Sequence, residues 1–153
     1  MKTILLLTII TICYASYNLL VKISTNQIES LNTPPIIATI FLQATALSIS
    51  VIYFIILARQ SISMTLPTKS YVWAIGAGLC IGIAEVLYFY LFRGIAGEKA
   101  ISANSAIPLI VGGTIVIVVI VSKFLLSETL NTGQWIGVLL AMVGMIILAI
   151  NST

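Results

Sequence analysis

The segment "AGLCIGIAEVLYFYLF", residues 77–92, decides the class of this protein. Fifteen of its sixteen residues are apolar, aromatic or glycine, and the sixteenth is Glu85. Extended back to Tyr71, the run reaches the ~20 residues that cross a bilayer as a helix. A carboxylate at its centre therefore needs a reason. Placed there in ionised form, it costs at least ~2.5 kcal/mol even on the lenient insertion scales.

The rest of the chain repeats this pattern. Of 153 residues, 60% are hydrophobic and only 7% are charged. A soluble domain carries about 25% charged residues, so the bilayer must be the solvent here. Four further apolar runs flank the first, giving predicted spans at 3–21, 35–58, 71–92, 101–125 and 134–150. Backbone amides in lipid must be satisfied within their own segment, which makes these spans helices. The alternating ten-residue segments of a membrane β-barrel do not appear. The expected fold is all-α: one transmembrane domain, residues 1–153, built as a bundle of five helices. Lys2 followed by an apolar run resembles a signal peptide, but "LLLTIITICYASYNLL" exceeds the usual apolar core. Residues 3–21 are read as a retained span.

The breaks between spans are chemically marked. "STNQIESLNTPP" (24–35) ends in Pro34-Pro35, which suits a first helical turn, with Thr33 as the expected N-cap. "RQSISMTLPTKS" (59–70) and "RGIAGEKA" (93–100) concentrate charge, Pro and Gly. "SETLNTGQ" (127–134) is a short polar turn in which Glu128 is expected to cap a helix or pair with Lys123. Trp73 and Trp135 fall near span ends, where interfacial aromatics sit.

Several function classes drop out. The chain has no His, its four acidic residues are all Glu, and its seven Lys and Arg are scattered. No His-type metal site, catalytic constellation or nucleic-acid-binding stripe follows from that inventory. Neither a cofactor nor a metal is expected, and no enzyme activity. Cys13 and Cys80 lie in apolar runs and are read as inert packing thiols.

Charge also bears on orientation. With the N-terminus cytoplasmic, Lys2, Arg59, Lys69 and Lys123 fall inside, against Lys22, Arg93 and Lys99 outside. This near-balance removes most of the positive-inside bias. It permits insertion in both orientations and hence an antiparallel homodimer, in which two odd-span copies reproduce an inverted repeat. Single-orientation insertion on a one-residue bias is the plainer reading.

Candidate binding residues cluster around Glu85. An intramembrane acid is a functional candidate by default, as a site for a proton or a cation. The plainer alternative is a carboxyl hydrogen-bonded to a neighbouring helix or paired with a Lys. Tyr14, Tyr17 and Tyr88 offer rings to a cationic or amphipathic ligand, and Asn18 shares a helix face with Tyr14 and Thr11. Gln43 and Ser50 lie on one face of the second span. Asn104 and Pro108 open the fourth span, where a proline frees a carbonyl and can interrupt the helix, a pointer to transporter sites. Small residues form two ridges for close helix contact, Ala74-Gly78-Gly82 and Gly133-Gly137-Ala141 with Gly144.

Residues 107–148, "IPLIVGGTIVIVVIVSKFLLSETLNTGQWIGVLLAMVGMIIL", resemble the C-terminal part of an EamA-like repeat of the drug/metabolite transporter superfamily. The likeness rests on Pro108, Glu128, Gln134-Trp135-Ile136-Gly137 and Gly144. It covers about forty-five residues strongly and the first three spans weakly, and the five-span count is that of one repeat, as in single-repeat bacterial and archaeal members. By similarity to the four-span small multidrug resistance proteins, distant cousins that form antiparallel dual-topology dimers, Gly137 and Gly144 would carry a dimer contact, with Ala141 of the same ridge expected to join it. The match fails at one point. Those cousins place their essential Glu in helix 1, eight residues before a Lys; here the Lys is Lys22 and the corresponding position is Tyr14. Their exchange site therefore does not transfer, and Glu85 is the candidate to replace it.

The resemblance implies a small secondary transporter in the cell (cytoplasmic) membrane, working by alternating access as an antiparallel homodimer. Its substrate would be a small metabolite or organic cation, with the proton as candidate coupling ion. Its other partners are the lipid bilayer and no nucleic acid. The alternatives are a half-transporter that pairs with a different five-span chain, or a non-transporting scaffold or accessory subunit.

Overall fold

The computed structural model describes residues 2–28, 33–60, 65–94 and 99–151. Parts of three predicted breaks, 29–32, 61–64 and 95–98, lie outside the described residues. Five helices follow in order: α1 (Lys2–Asn26), α2 (Ile36–Ala58), α3 (Thr68–Arg93), α4 (Ala103–Leu125) and α5 (Thr132–Ile150). Each is long and apolar enough to cross a membrane. The chain divides into two compact units, Met1–Ala100 with α1 to α3 and Ile101–Thr153 with α4 and α5.

In the first unit α3 packs against both α1 and α2. The ties between α1 and α3 join Tyr17 to Glu85, Asn18 to Tyr88 and Lys22 to Phe92. These pairs keep an almost constant separation of 68 to 70 residues, so the two helices run parallel. That is the direction expected of two spans separated by one returning span. The buried side chains gather along this seam and at the start of α2: Val21 and Thr25 on α1, Thr39 on α2, and Glu85, Phe89 and Phe92 on α3. On α3 these residues, with Tyr88, fall at i, i+3, i+4 and i+7, one helical stripe. Much of the remaining apolar surface, including Leu5, Phe41 and Ile75, is exposed, as suits helices solvated by lipid.

Helix ends differ from the sequence reading in instructive ways. α1 runs past the predicted end at residue 21 as far as Asn26, because Lys22 finds an acceptor on α3 and Thr25 bonds back to Lys22 O at 2.8 Å. Thr33 does not cap α2. Pro35 occupies the N-cap position with no side-chain cap, and its carbonyl accepts the Thr39 N–H at 3.3 Å. Two residues farther out, Thr33 lies beyond the point from which a cap reaches the first free amides. α3 stops at Gly94, whose φ of 90° lies in the region glycine adopts most readily.

In the second unit α4 and α5 pack against each other across the turn 126–131. A Cβ at Gly112 would come within 2.8 Å of Met145 Cγ, so the missing side chain makes room for the methionine. Glu128 is not the cap of α5. Asn131 accepts the Gln134 N–H at 2.9 Å while the Gln134 side chain accepts the Asn131 N–H at 2.8 Å, a reciprocal capping box. Glu128 takes part through its backbone N–H, which donates to Ser122 O at 3.4 Å.

Candidate functional site

Glu85 sits at the α1–α3 seam with only 7% of its surface exposed. The Tyr17 hydroxyl donates a hydrogen bond to Glu85 Oε2. One turn along, the Tyr88 hydroxyl donates to Asn18 Oδ1 at 2.7 Å. Four of the predicted residues therefore meet, two from each helix, because parallel helices with matched stripes bring residues 68 to 70 apart to the same level.

Aromatic rings wall this polar pair. Tyr17 and Tyr88 stack with centroids 6.3 Å apart and planes 26° apart. Tyr14 meets Tyr17 edge-on at 6.5 Å, and Tyr88 tilts against Phe92 at 4.6 Å. These are favourable ring geometries. Tyr14 is 65% exposed and meets the site through the Tyr17 ring. Tyr17 also lines a cleft of about 700 Å³ between α1 and α2, together with Cys13, Ser16, Thr45 and, from α3, Phe89. Cys13 and Cys80 are free and exposed rather than packed thiols.

Other polar residues picked out from the sequence are spent locally. Thr11 bonds to Leu7 O in its own helix at 2.8 Å, and Ser50 to Ala46 O at 3.2 Å. Gln43 lies across from Gly82 in a groove between α2 and α3, where a Cβ on Gly82 would stand 3.7 Å from Gln43 Nε2. Of the α3 ridge, Gly82 is thus the glycine that meets α2; a Cβ at Gly78 would meet nothing within 4 Å.

In the second unit Asn104 is exposed and Pro108 half-buried near the start of α4. α4 continues as a helix through Pro108. Lacking an N–H, that proline still leaves the Asn104 carbonyl without its usual helical donor. On α5, Gly137 and Gly144 lie exposed and Ala141 half-buried, and within this unit a Cβ at either glycine would meet nothing within 4 Å.

Two members of the cluster are not among the binding residues expected from the sequence. Phe92, 1% exposed, stands at i+7 from Glu85 and i+4 from Tyr88, a spacing that places it on the same stripe. Lys22 donates to Phe92 O at 3.1 Å and lies 5.2 Å from the centroid of the Phe92 ring. In the sequence Lys22 enters only as a charge at the end of a span; its acceptor on α3 depends on the pairing of the two helices.

Compared with known families, residues 1–150 match the EamA-like transporter family, and the chain belongs to it. It is accordingly an integral, multi-pass membrane protein and a transporter of the drug/metabolite kind, acting on small molecules across a lipid bilayer. No curated protein and no solved structure gives a significant match.

Proposed function

We propose that this protein is a secondary transporter of the cell membrane that moves a small metabolite or organic cation by alternating access, with Glu85 as its proton- or cation-binding group. The observation that carries this reading is the setting of Glu85: buried between two membrane helices and held by a phenol hydroxyl. Such a donor suits either protonation state, since it can serve a charged carboxylate or the carbonyl oxygen of a neutral acid. A proton or cation can then be exchanged without dismantling the α1–α3 seam. Tyr17, Asn18 and Tyr88 complete the site, and Tyr14 lies at its margin. Within the second unit, Asn104 and Pro108 are proposed separately as substrate- or proton-binding residues of α4, on the strength of the carbonyl that Pro108 frees.

The working unit is an antiparallel homodimer. Four cations against three across the membrane support dual insertion, and the exposed Gly137 and Gly144 of α5, with half-buried Ala141 between them, supply a surface for close contact. Two experiments test these parts separately. In proteoliposomes, Glu85→Gln should abolish pH-dependent flux; unchanged flux and pH dependence would end the role of Glu85. Reporters active only in the cytoplasm, or only outside, are joined after Thr153. Both should be active, and activity of one alone would remove the antiparallel homodimer.

A further inference from the structure

We propose that Lys22 is a positioning residue of the Glu85 site: it fixes the register of α1 on α3 and so delivers the Tyr17 hydroxyl to Glu85. This inference rests on the reading of Glu85 as the transport carboxyl. Its structural part stands on three ties in one line. Lys22 Nζ donates to Phe92 O at 3.1 Å, and that carbonyl belongs to the last turn of α3. The final four carbonyls of a helix lack donors in their own helix and carry the negative end of its dipole, so an ammonium is a well-matched partner. The same ammonium stands 5.2 Å from the centroid of the Phe92 ring, within cation–π range. Phe92 leans on Tyr88 at 4.6 Å, and the Tyr88 hydroxyl donates to Asn18 at 2.7 Å. Asn18 adjoins Tyr17 in the chain. The path from Lys22 to the Glu85 donor is thus made of direct contacts.

Register needs such a tie in this solvent. Lipid supplies little hydrophobic drive to press one apolar helix onto another, so contacts shifted by one turn compete closely. A slide of one turn is about 5.4 Å and would carry the Tyr17 hydroxyl out of reach of Glu85. The aromatic stripe alone tolerates such a slide better than a directed ammonium–carbonyl bond does. Lys22 also sits where it can discriminate, little more than one turn beyond Tyr17 and Asn18.

The test uses the full chain in proteoliposomes and dicyclohexylcarbodiimide, which modifies protonated carboxyl groups in apolar surroundings; mass spectrometry reads the rate at Glu85. Tyr17→Phe and Lys22→Met are each expected to accelerate modification about threefold or more, the size of losing one interhelical tie of average membrane strength. Because Lys22 acts through Tyr17, the double variant should react no faster than Tyr17→Phe alone. Lys22→Arg, which keeps the charge and a donor, should restore the wild-type rate. Wild-type rates in Lys22→Met beside accelerated rates in Tyr17→Phe would overturn the proposal, as would full multiplication of the two effects. If Lys22→Met does not accumulate in membranes, Lys22→Gln is measured against the same outcomes. Flux that survives Glu85→Gln would refute the transport role of Glu85 and leave these rates standing, so the two failures are separable.

Discussion

The contact between Tyr17 and Glu85 is the one on which the site depends, and a double-mutant cycle can weigh it. Tyr17→Phe removes a single hydroxyl and leaves the ring against Tyr14 and Tyr88, so packing is held nearly constant. Stripping the donor from a buried acceptor in a soluble protein costs about 1–3 kcal/mol, and more when the acceptor is charged. Interhelical hydrogen bonds in membranes are weaker, about 0.6 kcal/mol on average and about 1.7 at most, because the unfolded helices also find partners in lipid. Glu85 is buried while Tyr17 is half-buried beside the cleft, which favours the upper part of the membrane range. We expect Tyr17→Phe to cost about 1 kcal/mol, roughly a fivefold shift in the folding equilibrium, with a coupling to Glu85→Met of about 0.6–1.7 kcal/mol. Glu85→Met is the proper partner because Gln would keep an acceptor. Reversible unfolding of the four proteins in mixed micelles, titrated with dodecyl sulfate, supplies the cycle. A coupling within ~0.3 kcal/mol of zero, the scatter of independent sites, would refute the contact and the geometry built on it.

Further outcomes follow from the second unit. Gly112→Leu should destabilise the α4–α5 pair by about 1–3 kcal/mol through overpacking against Met145, and Met145→Ala should recover much of that loss in the same titration. Asn131→Ala opens the capping box of α5 and should cost about 1 kcal/mol, seen as easier proteolysis at the turn 126–131. Gly137→Leu has free space around it within its unit, so the protomer should keep its stability while chemical cross-linking yields less dimer. Unchanged cross-linking would remove α5 from the proposed interface.

Part of the candidate site is legible in the sequence. Composition and run length give five helices, and a lone carboxylate in a twenty-two-residue span marks its own position. Asn131 and Gln134, three residues apart ahead of an apolar run, carry the signature of a capping box, so the cap of α5 is readable there rather than at Glu128. Thr33 failed as a cap for a local reason: Pro34-Pro35 sets the start of α2 later than the polar residues suggest.

What the sequence determined by itself is everything governed by transfer from water to lipid: which segments are helices, how many there are, and that Glu85 cannot face the acyl chains without cost. These are sums over single residues and need no neighbour. The tertiary structure alone decided which groups answer Glu85. A hydroxyl 68 residues away becomes its partner only when α1 lies parallel to α3 in one register. By the same alignment Lys22, in the sequence only a charge at the end of a span, becomes a tie on the end of α3. Sequence periodicity fixes which side of a helix a residue occupies. The sliding and facing of two helices depend on contacts made by both, and those exist only after they meet.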